Sequence, residues 1–89
     1  MADLYVQNKE VIQSRIGEEV VMLDVESGFY FGLNSVGSII WSYLSEPVSF
    51  DDLLTKLMNQ FDVDKETCEA DTRAFFNQLL EKNIIRKIT

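Results

Sequence analysis

The stretch Val20-Val21-Met22-Leu23-Asp24-Val25-Glu26-Ser27-Gly28-Phe29-Tyr30-Phe31-Gly32-Leu33-Asn34-Ser35-Val36-Gly37-Ser38-Ile39-Ile40-Trp41 decides the fold. Its periodicity changes once. Up to Leu33 it alternates like a strand, with Val21, Leu23 and Val25 on one face and Met22 and Asp24 on the other. Glu26-Ser27-Gly28 is read as a hairpin turn, Gly28 taking positive φ. Asp24, beside that turn, is expected to bond turn backbone. Phe29 to Leu33 is the next strand, with Phe29, Phe31 and Leu33 on one face and Tyr30 on the other. From Asn34 onward the spacing is helical. Val36, Ile39, Ile40, Tyr43 and Leu44 recur on one side, Trp41 adds bulk, and Asn34 or Ser35 caps the start.

Working outward, Val11 to Arg15 reads as a strand and Gly17 as a turn. Short loops then favour a three-stranded antiparallel meander. Its third strand, Phe29 to Leu33, lies at an edge with unpaired backbone groups. Residues 1–9 are expected to be a flexible N-terminus. Beyond Leu44, Pro47 marks a break. Ser49 caps a second helix with the apolar stripe Phe50, Leu53, Leu54, Leu57, Met58 and Phe61. Asp64 caps a third, whose less polar side carries Cys68, Thr72, Phe75, Phe76, Leu79 and Leu80. Asn83 closes it in a left-handed conformation. Ile84 to Ile88 is a tail that packs or forms a short strand. Strands followed by helices indicate one α+β domain over 1–89, winged-helix-like, with a three-stranded sheet followed by three helices.

Composition limits the function. The 89 residues carry 15 acids against 8 bases, a net charge of −7. Nucleic acid selects for basic surfaces, so this balance points away from it. The third helix is itself net acidic, with Lys65, Arg73 and Lys82 against Asp64, Glu66, Glu69, Asp71 and Glu81. There is no histidine, which removes the commonest general base and metal ligand. No dinucleotide or P-loop phosphate motif occurs. Asp51, Asp52, Asp62 and Asp64 lack the spacing of a calcium loop and are read as helix caps. No catalytic residue, metal or cofactor is expected. The single cysteine, Cys68, cannot form an internal disulfide and is read as a buried small apolar residue. No apolar run reaches the roughly 20 residues of a membrane helix, and the N-terminus lacks a secretory pattern. Cytoplasmic residence is the default, with no membrane partner.

These residues resemble the PqqD-like family. The features that carry the resemblance are the strand ending Leu23-Asp24, the Gly28–aromatic hairpin, Leu33-Asn34, the helix start containing Gly37, and Ile40-Trp41. Pro47, Leu53, Leu57, Phe61-Asp62-Val63, Asp71, Phe75 and Leu79 agree, so the resemblance covers roughly residues 10 to 88. It implies a winged helix that acts as a RiPP recognition element, binding the leader segment of a ribosomally made precursor peptide. The leader would add as a further strand to the third strand and lie against the third helix. Phe61-Asp62-Val63-Asp64 with Thr67-Cys68 and Asp71 is most similar to stand-alone proteins of lasso-peptide clusters. Those work with a separate leader peptidase and a cyclase.

The chemistry needs an exposed sheet edge beside an apolar groove, where backbone hydrogen bonds give affinity and side-chain pockets give selectivity. The expected edge is Phe29, Tyr30, Phe31, Gly32 and Leu33. Asp71, Phe75, Gln78, Leu79 and Lys82 are the expected opposing wall, since positions three and four apart share a helix face. Phe75 would be the apolar anchor, Asp71 would meet a basic or hydroxyl group, and Gln78 a polar one. Core packing is the competing account of Tyr30, Phe31 and Phe75, and Phe76 competes with Phe75 for the inward position. Trp41 is read as a packing residue. Competing functions are a winged-helix nucleic-acid binder, a protein scaffold, and a small enzyme using Cys68. A monomer is preferred, and the open edge also permits homodimers by strand pairing.

Overall fold

A computed structural model describes residues 3–23, 25 and 27–88. Asp24, and with it the bond expected of it, lies outside the described residues. In chain order the elements are β1 (Leu4–Gln7), β2 (Ile12–Ile16), β3 (Glu19–Leu23), β4 (Tyr30–Leu33), α1 (Ser35–Tyr43), β5 (Val48–Ser49), α2 (Phe50–Gln60), α3 (Lys65–Glu81) and β6 (Ile85–Ile88).

The meander forms as its pattern requires. β2, β3 and β4 lie side by side in that order, all antiparallel. Gly17 and Gly28 take φ of +63° and +77° at the two connections, where a side chain would be strained. Val20 pairs with Leu33 and Met22 with Phe31, which places these four on one face. Val20, Met22 and Leu33 are buried there, each worth about 1.5–3 kcal/mol of transfer free energy. Phe31 is half-buried against them.

The helices start and stop where their caps dictate. The Asn34 side chain accepts from the Gly37 amide, and Ser49 accepts from Asp52. Asp64 accepts from Glu66 and Thr67, and Asn83 takes φ 59° just past the end of α3. On α3 the residues that turn inward are Cys68, Thr72, Phe76 and Leu79, one stripe at helical spacing. Phe76 is the centre of the core. Its ring meets Tyr5 and Phe50 edge-on, with centroids 5.2 Å away in both cases. Such pairs add about 0.5–1.5 kcal/mol beyond area burial. Met58, expected in the α2 stripe, is instead exposed.

The N-terminal segment expected to be flexible is a strand. β1 is the middle strand of a second antiparallel sheet, ordered β5-β1-β6. It pairs Leu4 with Ser49 and Ile88, and Tyr5 with Val48 and Lys87. The Gln7 side chain also donates to the Trp41 carbonyl at 2.7 Å. The physical reason is non-local. A four-residue segment, of which only Tyr5 and Val6 are strong strand formers, finds partners more than 40 positions away, which local periodicity does not reveal. The C-terminal tail is the outer strand β6, with Ile84 and Ile85 buried.

Deleting residues 1–8 should expose the facing edges of β5 and β6 and remove Tyr5 from Phe76. We expect a loss of at least about 2 kcal/mol, or roughly 8–16 °C in Tm for a domain of this size, measured by thermal unfolding. An unchanged Tm would show that β1 contributes nothing to stability.

Candidate functional site

The site is built around the junction of β4 and α1. Asn34 ends the strand and caps the helix in one residue, leaving α1 almost no freedom relative to the sheet. Ser38, buried one turn later, locks it further. Its Oγ accepts from the Val20 amide at 3.1 Å and donates to the Leu33 carbonyl at 3.3 Å. Both bonds run from α1 to the β3–β4 ladder. Gly37 then lets α3 approach. A Cβ at Gly37 would stand 3.3 Å from Phe75 Cζ and 3.3 Å from Asn34 Oδ1, so the two helices nearly touch.

Between these parts lies a groove of about 500 Å³. One wall is the junction: Gly32, Leu33 and Asn34, with Val36 and Gly37. The α3 wall is Thr67, Asp71 and Phe75, on one face at spacings of four. The end of α2 closes it with Leu57, Phe61 and Val63. The floor includes Ile40, Cys68 and Thr72. The lining is mainly apolar, with few polar groups to orient an occupant.

β4 pairs only with β3 among the described residues, so its second edge is open. β2 has an open edge too, but none of its residues lines this groove. Only the β4 edge therefore adjoins the groove.

The expected site residues divide accordingly. Gly32, Leu33, Asp71 and Phe75 come together in the groove. Phe76 takes the inward position, at 2 % exposure, which leaves Phe75 half-buried on the groove side. Phe29 precedes β4 and is exposed, as is Tyr30 on the sheet's outer face. Phe31 faces inward, with Lys82 Nζ 5.5 Å from its ring centroid. Lys82 borders a second recess, with Leu23, Val25 and Arg86, rather than the groove. Gln78 is exposed and lines neither. Leu79, assigned to the wall from its spacing, is 1 % exposed and belongs to the core. It sits three residues from Phe76 on the inward stripe, so it offers no groove surface.

Val36, Thr67, Leu57, Phe61 and Val63 were not read as site residues. Val63 carried a signal: it is an apolar residue between two helices, with no stripe to join. Trp41 packs as expected, 3 % exposed, and its indole N–H donates to Gln13 Oε1 at 2.8 Å. Cys68 is buried, with Sγ 4.0 Å from Thr72 Oγ1. Among the described residues no cluster of three His, Cys, Asp or Glu side chains could hold a metal ion. Nor is any helix there long and apolar enough to cross a membrane.

A winged-helix-like α+β domain with one open strand edge beside an apolar groove is the class of protein these features define. The chain belongs to the PqqD family, whose model, described as coenzyme PQQ synthesis protein D, matches residues 19–85. No curated protein matches the chain. Two solved structures are similar to it. One is TbiB1 in complex with the TbiA(beta) leader peptide, 34% identical, with a TM-score of 0.79, covering 91% of this chain and 94% of that one. The other is lasso peptide synthetase B1 complexed with the leader peptide, 25% identical, with a TM-score of 0.75, covering 96% and 98%.

Two predictions concern the frame of the groove. Ser38→Ala leaves the buried Val20 amide without its partner, at a cost of about 1–3 kcal/mol, readable as a lower denaturation midpoint in urea. The second concerns acid. Hydrogen bonds from the Thr67 side chain, then from the Thr67 and Glu66 amides, hold the Asp64 carboxyl below its ordinary 3.8. A lowered folded pKa means stability present above 3.8 and lost as pH falls through the folded value. Asp64→Asn should therefore flatten the acid side of the stability profile, measured as urea midpoint against pH. An unchanged slope would show that the cap does not couple to folding.

Proposed function

We propose that this protein binds the leader segment of a ribosomally made precursor peptide in lasso-peptide biosynthesis, and presents it to the enzymes that process it. The observation that carries the reading is the open edge of β4 lying directly beside an apolar groove. The similarity to two B1 proteins, each complexed with a leader peptide, supports the same reading.

The leader adds as a strand to β4. It exchanges backbone hydrogen bonds with the edge from Phe29 to Leu33, where Gly32 has nothing within 4 Å of its Cβ position. Alternate leader side chains then turn toward α3. An apolar one packs against Phe75, Val36 and Val63. A basic or hydroxyl-bearing one meets Asp71, exposed on the groove rim. Gln78 and Lys82 continue the same helix beyond the groove and contact the leader's far end. Ordering a disordered leader costs several kcal/mol, so affinity comes from a few buried anchors.

The protein itself performs no bond chemistry. It raises the concentration of the precursor near a leader peptidase and a cyclase, and selectivity follows from the leader it accepts. The monomer is the working unit, because strand pairing between copies would cover the edge the leader uses.

The test is a fluorescence-polarisation titration with the leader segment of the precursor encoded beside the gene, with a scrambled leader as control. Saturable binding of the native order alone is expected. Phe75→Ala should weaken it by about ten-fold or more, as for an anchor residue, with little change in Tm. Phe76→Ala should instead cost about 3–5 kcal/mol of stability. Equal affinity for native and scrambled leaders would remove the reading. Normal binding by the Phe75 variant would move the site elsewhere.

A further inference from the structure

Three of the four glycines have a local account. Gly17 and Gly28 turn their hairpins at positive φ, and Gly32 lies on the open edge of β4 with nothing within 4 Å of its Cβ position. Gly37 has neither excuse. It sits in the first turn of α1 without a positive φ. Glycine is the poorest helix former after proline, because it has the most backbone freedom to lose. An alanine there would favour α1, so what keeps the position bare is space.

A Cβ at Gly37 would stand 3.3 Å from Phe75 Cζ, 3.3 Å from Asn34 Oδ1 and 3.4 Å from Leu33 Cβ. Two of these neighbours are held. Asn34 Oδ1 accepts from the Gly37 amide at 2.8 Å, and Leu33 is buried in register with Val20. The third can move, because the half-buried Phe75 meets Gly37 with its ring tip. It has one direction to take. Phe76, Leu79 and Thr72 fill the core side of α3, where packing leaves no room for a displaced ring. A methyl group at position 37 therefore pushes the ring into the groove.

Phe75 is also the last α3 residue to line the groove, after Thr67 and Asp71, with Val36 and Gly37 opposite on α1. The contact of Phe75 with Gly37 is thus the groove's narrow end, and the lean of one ring sets its width. The surroundings there are apolar, and Asp71 is the one charged residue in the groove lining.

We propose that Gly37 is a specificity-determining residue. By letting the Phe75 ring lean onto α1, it keeps the narrow end of the groove wide enough for a large apolar leader side chain, aromatic or leucine-sized. A methyl group at position 37 gives that room to Phe75 and turns the preference toward a small leader residue. One methylene in an apolar pocket changes selectivity by about 10–200-fold, so a single methyl suffices. The proposal rests on the leader-binding reading and says which leaders the groove accepts.

The test titrates the full chain by fluorescence polarisation against the leader segment, and against copies with each large apolar residue in turn replaced by alanine. The variants are Gly37→Ala and Phe75→Tyr. The first crowds the contact from α1, the second from α3, through a hydroxyl added at Cζ. Phe75→Tyr leaves α1 and its cap untouched, so it decides the question even if Gly37→Ala weakens the fold. Both should bind the native leader about ten-fold more weakly or worse. Both should bind the copy trimmed at one shared position at least as tightly as the native leader, whereas the wild type should lose about ten-fold for that copy. In a Phe75→Leu background, which lacks the ring tip, Gly37→Ala should cost less than about two-fold, the non-additivity of residues in contact. A uniform loss across all leader copies, their order unchanged, would overturn the proposal, because Gly37 would then serve packing alone. So would an equal cost of Gly37→Ala with and without Phe75→Leu. A wild type that takes no leader removes the functional reading and this proposal with it, whereas leader binding with unchanged order removes this proposal alone.

Discussion

The Ser38 hydroxyl holds the frame on which the groove depends. It joins α1 to two strands at once, accepting from Val20 and donating to Leu33. Val20 and Leu33 are also partners across the β3–β4 ladder. The bonds are made where water is excluded, so each is stronger than at a surface and costly to break. Asn34 adds its cap to the same corner. The result is a strand edge and a helix start that move as one body. A peptide-binding edge benefits from that rigidity, because less order has to be imposed on binding.

The opposite wall is fixed by a different kind of force. α3 is held through Phe76, which fills the space between Tyr5 of one sheet and Phe50 of α2. That inward commitment decides its neighbour. One residue back around the helix, Phe75 is left half-buried and turned toward Gly37 and the groove. A single aromatic pair in the sequence therefore supplies both a core centre and a groove wall. The acidic surface adds a further bias, favouring partners with basic groups and disfavouring self-association.

Local patterns made much of this readable. The alternation through Leu33, the change of period at Asn34 and the caps at Ser49 and Asp64 each act within a few residues. Each placed its element to within about two residues, the usual uncertainty at helix and strand ends. Gly28 and Asn83 were readable for the same reason, since positive φ is a local demand. The groove was half readable. Asp71 and Phe75 follow from helical spacing, whereas Leu79 satisfies the same spacing argument and faces the core. A long helix packed on one side has several faces at its margin, and periodicity alone does not say which margin meets the groove.

By itself, then, the sequence determined the elements, their caps, the antiparallel meander with its open third strand, and an acidic character that points away from nucleic acid. These depend on propensity, spacing and charge, which are properties of short segments. Tertiary structure alone decided the rest. It made residues 4–7 the centre of a second sheet, because their partners at Val48–Ser49 and Ile85–Ile88 are distant in the chain. It chose Phe76 over Phe75 for the core, and brought Val36, Phe61 and Val63 to one groove. Those outcomes are set by which surfaces exclude water together, and that is known only once the chain has closed on itself.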